Sequence, residues 1–154
     1  MGKPAGVHGR NRFAMQNDVT IEVRWGECDP FHIVFYPNFF TWFDHCTWKL
    51  FDAAGLTPEA TYRDYGFIGM PLVDAQSKFI SPARGGDTIV IRSRVSQWGR
   101  TSFKVSHAVM KDGTVIAEGV ETRVWAIAHP DDPKRPKAAP IPKPVIERMG
   151  GSPA

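Results

Sequence analysis

From Val19 onward apolar and polar positions alternate. Ile21, Val23 and Trp25 interleave with Thr20, Glu22 and Arg24, the period of a strand with one buried face. Gly26 to Pro30 ends that pattern, and near Pro37 the period changes. Phe39, Phe43, Cys46, Leu50 and Ala54 recur at steps of three and four, while Phe40, Trp42, Thr47 and Phe51 widen the stripe. Few polar residues interrupt it: Asp44, His45, Lys49 and Asp52. The spacing predicts one long helix over 37–54, buried on most sides, with Pro37 in its first turn and Gly55 as its stop.

A connection over 56–70 follows, with a short helix expected at Pro58–Tyr65. Then come four strands: Leu72–Ile80, Asp87–Trp98, Thr101–Lys111 and Thr114–Ala128. Gly85–Gly86, Gly99–Arg100 and Asp112–Gly113 are the turn signals between them. Consecutive strands with tight turns imply an antiparallel sheet. A helix that is apolar nearly all round is covered by such a sheet only if the sheet curls around it, so the expected class is α+β. Residues 1–18 read as a flexible arm, 19–129 as one domain, and 130–154, rich in Pro, Lys and Ala, as an extended tail.

Charge narrows the range of partners. The chain has 154 residues and a formal charge of +3, but the basic excess lies in the two ends. Residues 19–129 hold 11 basic and 12 acidic side chains. A nearly neutral body argues against a nucleic-acid surface. No apolar run is long enough to suggest a membrane span, and the N-terminus lacks the apolar core of a signal peptide. Cys28 and Cys46 form neither a CxxC pair nor a framework, which suits reduced thiols in a cytoplasmic protein. The five histidines have no zinc-like spacing to the cysteines, so no metal site is expected.

The densest chemistry lies between the first strand and the long helix, from Trp25 to Phe40. Asp29 sits in that loop, and the helix begins seven residues later near Tyr36. A helix start offers unpaired N–H groups and partial positive charge, which can stabilise an oxyanion. A carboxylate beside it can attack a carbonyl or activate water. On the local pattern alone a loop Asp before a helix is usually a turn or capping residue, and Asp29 reads more readily as that. Cys28 has no base paired with it and reads as packing; the five tryptophans read as core or interface residues.

Gly26-Glu-Cys-Asp-Pro30 followed by Ile33-Val-Phe-Tyr-Pro-Asn38 resembles the signature of the 4-hydroxybenzoyl-CoA thioesterase family. The resemblance runs from about Val19 to Ala128 and includes Gly66–Pro71, Gln97-Trp98 and Arg100–Phe103. It implies a hotdog fold, dimers paired into tetramers with sites at subunit interfaces, and hydrolysis of an acyl-CoA without metal or redox cofactor. It assigns Asp29 as nucleophile or base and the Tyr36 N–H as the group polarising the thioester carbonyl. Asp44 matches an acidic position near the ring end of the acyl pocket. Met70 stands where the 4-hydroxybenzoyl enzyme has a smaller polar residue, which puts that acyl group in question. His32 replaces a usual glycine and is either structural or tuning. Arg100 and Ser102 match a turn that contacts the CoA nucleotide; Arg100 is otherwise a solvated turn residue, and Arg84 and Lys104 are weaker phosphate candidates. The rival functions are a hotdog enoyl-CoA hydratase, served by Asp29 and His32, and a non-catalytic acyl-CoA-binding module.

Overall fold

A computed structural model describes residues 15–152. Strand β1 (Gln16–Glu22) turns Val19 and Ile21 inward, and a single 3-10 turn at Trp25–Glu27 follows it. Helix α1 spans Pro37–Ala53 and α2 spans Pro58–Tyr65, close to the expected bounds. Pro37 occupies the first turn of α1, and Gly55 just beyond it takes φ 75°, the left-handed stop that glycine supplies without strain. The strands after β2 (Phe67–Gly69) are β3 (Leu72–Phe79), β4 (Thr88–Trp98), β5 (Ser102–Lys111) and β6 (Thr114–Val124). They join β1 in a five-stranded sheet of order β1-β4-β5-β6-β3, antiparallel at every pairing. β1 and β3 are its edges.

The inner face of the sheet wraps α1. β4 contributes Ile89, Ile91, Ser93 and Val95, and β5 contributes Phe103, Val105, His107 and Val109, all buried. β6 brings Ala117, Gly119, Glu121 and Arg123 inward while Val120 faces out. Phe43 of α1 occupies the space above Gly119: a Cβ there would collide with its ring. Two apolar clusters result. One surrounds Phe39, Phe43, Cys46, Ile91, Val109 and Ala117, and the other Leu50, Phe51, Val95, Phe103, Val105 and Trp125. Between them runs a seam of buried polar side chains that crosses α1 at Thr47, β4 at Ser93, β5 at His107 and β6 at Glu121.

Two expectations fail. The chain beyond His129 is not an extended tail. β7 (Ala126–His129) pairs with both β2 and β8 (Asp132–Ala138), and α3 (Lys143–Arg148) packs on the second cluster. Ile141, Val145, Ile146 and Met149 supply an apolar stripe at helical spacing, all buried, which outweighs the Pro- and Lys-rich composition. β8 tolerates Pro133 and Pro136 because it is an edge strand. Trp25 is the other failure. It leaves the strand alternation and is 72% exposed, its ring lying over Gly85. Residues 16–18 belong to β1, and the rest of the expected arm up to residue 14 lies outside the described residues. Among the described residues no helix is long and apolar enough to cross a membrane.

Candidate active site

The loop from Trp25 to Tyr36 is built on its own hydrogen bonds. Glu27 accepts from the Arg24 N–H at 2.8 Å and from the Trp42 indole at 3.2 Å. The Glu27 carbonyl accepts from the Asn38 amide at 2.8 Å and from the Phe35 N–H at 2.9 Å. The loop is thus tied to the first two turns of α1. Within it, the Asp29 N–H donates to the Ile33 carbonyl and the His32 N–H to the Asp29 carbonyl, closing a tight turn. One carboxylate oxygen of Asp29 accepts from the Phe31 N–H at 2.8 Å and, more weakly, from the Ile33 N–H at 3.4 Å. The other has no protein partner among the described residues. One oxygen is therefore locked into the turn and the other is left open.

At the helix start Pro37 has no N–H to offer, while the Asn38 and Phe39 N–H groups are taken by the Phe35 and Tyr36 carbonyls. The Tyr36 N–H has no protein acceptor among the described residues. Asp29 and Tyr36 line one groove of about 420 Å³ with Ile33, Val34, Phe39, Phe79, Ile80 and Pro82. A carboxylate, a free donor and apolar walls converge there, which is what acyl transfer needs: a nucleophile or base, an oxyanion donor and a place for an apolar acyl group. A second hollow of about 310 Å³, edged by Arg92, Arg94, Ser106 and Glu118, lies on the outer face of the sheet and shares none of these groups.

The other residues singled out from sequence are spread along the molecule. His32 is exposed with φ 61°, a conformation in which glycine is at ease, and its ring makes no hydrogen bond among the described residues. Asp44 lies two turns into α1, its side chain 56% exposed and held by Arg123 at 2.7 Å. The Met70 side chain is buried in the second apolar cluster and not on the groove, while its carbonyl accepts from Arg123 at 3.1 Å. Arg100 and Ser102 sit in the β4–β5 turn, at the far end of the eleven-residue β4 from the loop, roughly 33 Å away along the strand. One chain alone does not bring them to Asp29. Arg84 does approach the loop, its guanidinium 3.5 Å from the Phe31 carbonyl, whereas Lys104 is exposed on the outer sheet face. Cys28 is half-buried with its thiol 3.7 Å from the Arg24 carbonyl; burial and the nearby Glu121 push the Cys46 thiol up to about 12. Among the described residues no three of His, Cys, Asp and Glu converge to hold a metal ion.

Sequence reasoning missed the polar seam. Glu121 accepts from the Thr47 hydroxyl at 2.5 Å, from His107 Nε2 at 3.0 Å and from Arg123 Nη2 at 2.6 Å. His107 Nδ1 meets the Ser93 hydroxyl at 2.7 Å, and the Phe43 ring stacks on the imidazole at 4.7 Å. Burial works to raise the Glu121 pKa, but the bonds from His107, Arg123 and Thr47 and the Arg123 charge outweigh it and bring it down to about 2.

The family model described as thioesterase-like superfamily matches residues 23–149. The chain belongs to the thioesterase-like superfamily. It is 30% identical to the 4-hydroxybenzoyl-CoA thioesterase of Pseudomonas sp. strain CBS-3 over 141 residues, covering 86% of this chain and 98% of that one. A mutant of the enzyme complexed with 4-hydroxybenzoyl-CoA superposes with a TM-score of 0.79 at 29% identity, covering 88% of this chain and 99% of that one. A gentisyl-coenzyme A thioesterase superposes at 0.72 with 30% identity, covering 88% and 100%. A 1,4-dihydroxy-2-naphthoyl-CoA hydrolase of Prochlorococcus marinus is 27% identical over 103 residues, 64% of this chain and 68% of that one. The α+β hotdog architecture expected from sequence is the one this superfamily member forms, and its enzyme class is thioester hydrolase.

Proposed function

We propose that this superfamily member hydrolyses an aromatic acyl-CoA to the free acid and CoA. The observation that supports the reading is the groove lined by both Asp29 and Tyr36, whose free carboxylate oxygen and backbone N–H have no protein partner among the described residues. The thioester carbonyl oxygen takes the Tyr36 N–H, and the helix start favours the negative charge that grows there. Asp29 then either attacks the carbonyl carbon, expelling the CoA thiolate and leaving an anhydride that water cleaves, or takes a proton from a water that attacks directly. No metal or redox cofactor enters either route; CoA is part of the substrate. An aromatic acyl group is supported by the names of the relatives, which act on hydroxylated aromatic CoA esters, and by the aromatic walls at Phe39 and Phe79.

The working form in this reading is a homo-oligomer, a tetramer built as a dimer of dimers. β3 is a sheet edge whose Leu72, Val73, Phe79 and neighbouring Ile80 are exposed, an apolar margin suited to a second copy. Antiparallel pairing of two β3 strands would carry one copy's β4–β5 turn, with Arg100 and Ser102, toward the other copy's Asp29. The free thiols suit a reducing cytoplasm. The hydratase alternative gains nothing from His32, whose exposed ring makes no bond to Asp29.

Thiol release from benzoyl-, 4-hydroxybenzoyl-, phenylacetyl- and medium-chain acyl-CoA tests the proposal. Asp29→Asn is expected to lose roughly 10²- to 10⁴-fold in kcat while the melting temperature stays put. Release that survives in Asp29→Asn would overturn the mechanism. Tight ester binding without release by the wild type would favour the binding module.

A further inference from the structure

Asp29 lies on one of two short extended segments that pair with each other, and Tyr36 directly follows the second. Cys28 stands opposite Val34. On either side of that pair, the Asp29 N–H donates to the Ile33 carbonyl at 2.8 Å and the Phe35 N–H to the Glu27 carbonyl at 2.9 Å. The second bond is the one next to Tyr36, so Glu27 sets the register between the carboxylate and the helix start. So short a ladder does not hold its register alone. Glu27 is anchored to α1 twice. Its carbonyl also accepts from the Asn38 amide at 2.8 Å, and one carboxylate oxygen accepts from the Trp42 indole at 3.2 Å. The other carboxylate oxygen takes the Arg24 N–H at 2.8 Å, just after β1.

Asn38 and Trp42 share one flank of α1, one turn apart. Among the described residues no side chain caps the start of that helix; the Asn38 amide reaches back to the loop instead. Glu27 and Asn38 are half-buried, Trp42 is buried, and none of the three lines the groove. They do not meet a substrate there; they hold the segments that do. Cleavage of a thioester makes that matter. The carbonyl carbon must lie within reach of Asp29 while its oxygen takes the Tyr36 N–H, and a misplacement of about 1 Å costs on the order of 10²-fold in rate. We infer that Glu27 and Asn38 are positioning residues for thioester cleavage: the bond from the Asn38 amide to the Glu27 carbonyl, backed by the Trp42 indole, holds the Asp29 segment at a fixed distance from the start of α1. The inference rests on the hydrolase reading for the roles of Asp29 and the Tyr36 N–H.

The test follows thiol release by the full chain from the ester that the wild type cleaves fastest, in Asn38→Ala, Asn38→His and Trp42→Phe. Asn38→His restores a side-chain N–H at similar reach, and Trp42→Phe keeps an aromatic ring while removing the donor. Calorimetry on each variant in an Asp29→Asn background gives the dissociation constant of the ester and the number of binding sites, so that kcat is expressed per binding-competent chain. Asn38→Ala is expected to lose about tenfold or more in kcat with the dissociation constant unchanged within about threefold, and Trp42→Phe to lose about threefold in kcat. Asn38→His should recover most of the loss. A merely structural role predicts the reverse, fewer binding sites or weaker binding at an unchanged kcat per site. That pattern, or a kcat untouched in both Asn38→Ala and Trp42→Phe, overturns the inference. If Asn38→Ala does not fold, Trp42→Phe, which leaves the bond to the Glu27 carbonyl in place, decides by the same criterion. Failure of the wild type to release thiol from any ester would sink the hydrolase reading itself. Release that Asp29→Asn loses and Asn38→Ala keeps would sink this inference alone.

Discussion

At the start of α1, Asp29 and Tyr36 line the groove, and the Tyr36 N–H and one Asp29 oxygen have no protein partner among the described residues. Three turns further along, at Thr47, the same helix meets a seam in which Ser93, His107, Glu121 and Arg123 are all bonded. Among the described residues no buried side-chain nitrogen or oxygen is left unsatisfied. The difference follows from burial. An open polar group at a groove can be met by water or substrate, so leaving it free costs little and keeps it available. The same vacancy under the sheet would carry its full desolvation penalty. The loop is therefore organised by its backbone and leaves polar groups open, while the seam uses up its hydrogen bonds to hold shape.

Removing one member of each region should separate the two. Asp29→Asn is expected to abolish turnover and spare the fold. Glu121→Ala is expected to lose about 3–5 kcal/mol of stability, because Arg123 and His107 are left facing a buried gap. Urea unfolding at neutral pH measures it. A loss under 1 kcal/mol would mean that water fills the seam.

Acid should act on the same group next. Glu121 is held down to about 2, below its ordinary 4.5, with His107, Arg123 and Thr47 around it and Asp44 beyond Arg123. A carboxylate whose folded pKa is depressed stabilises the fold above its unfolded value. Its contribution is thus complete above about pH 4.5 and is lost as the pH falls toward 2. Melting temperature against pH should show a drop confined to that window, flatter in Glu121→Gln. An identical acid slope in both proteins would assign it to other carboxylates, such as Asp18 and Asp87, which are also lowered by their cationic partners.

A smaller effect is expected from packing beside the seam. A methyl at Gly119 collides with the Phe43 ring, which also stacks on His107. Gly119→Ala should lose about 1–3 kcal/mol, and Phe43→Leu in the same chain should recover part of it. No recovery would place the cost in the strand backbone and not in the ring.

The contrast also explains what could be read from residues alone. α1 was legible because Pro37, the apolar stripe and Gly55 agree on its limits, and β3 to β6 because turn residues separate them. Asp29 and Tyr36 stood out because a loop and a helix start are local features. The seam was not legible. In β6 the apolar residues Val120 and Val124 suggest one face, yet Gly119, Glu121 and Arg123 are the buried set. Their partners lie 14 residues away at His107 and 74 away at Thr47. A buried charge is recognisable only through such partners, which alternation does not encode. Trp25 and α3 departed for a related reason: alternation placed Trp25 on the buried strand face and composition suggested a tail for α3, and contacts over long separations decided both.

His32 offers the smallest and sharpest test of the loop, since it combines an exposed ring with a backbone at φ 61°. The left-handed region costs a side chain about 1–2 kcal/mol, less for His than for most residues. Glycine removes that cost but adds roughly 0.5–1 kcal/mol of freedom to the unfolded chain. His32→Gly should therefore stabilise by at most about 1 kcal/mol, and His32→Ala, which keeps the strain and loses the ring, should not stabilise at all. Thiol release then separates backbone from ring. If Ala slows turnover and Gly does not, the turn at Asp29 is what residue 32 supplies. Equal slowing by both would mean that the imidazole reaches the acyl-CoA, and the loop would then hold a second functional side chain beside Asp29.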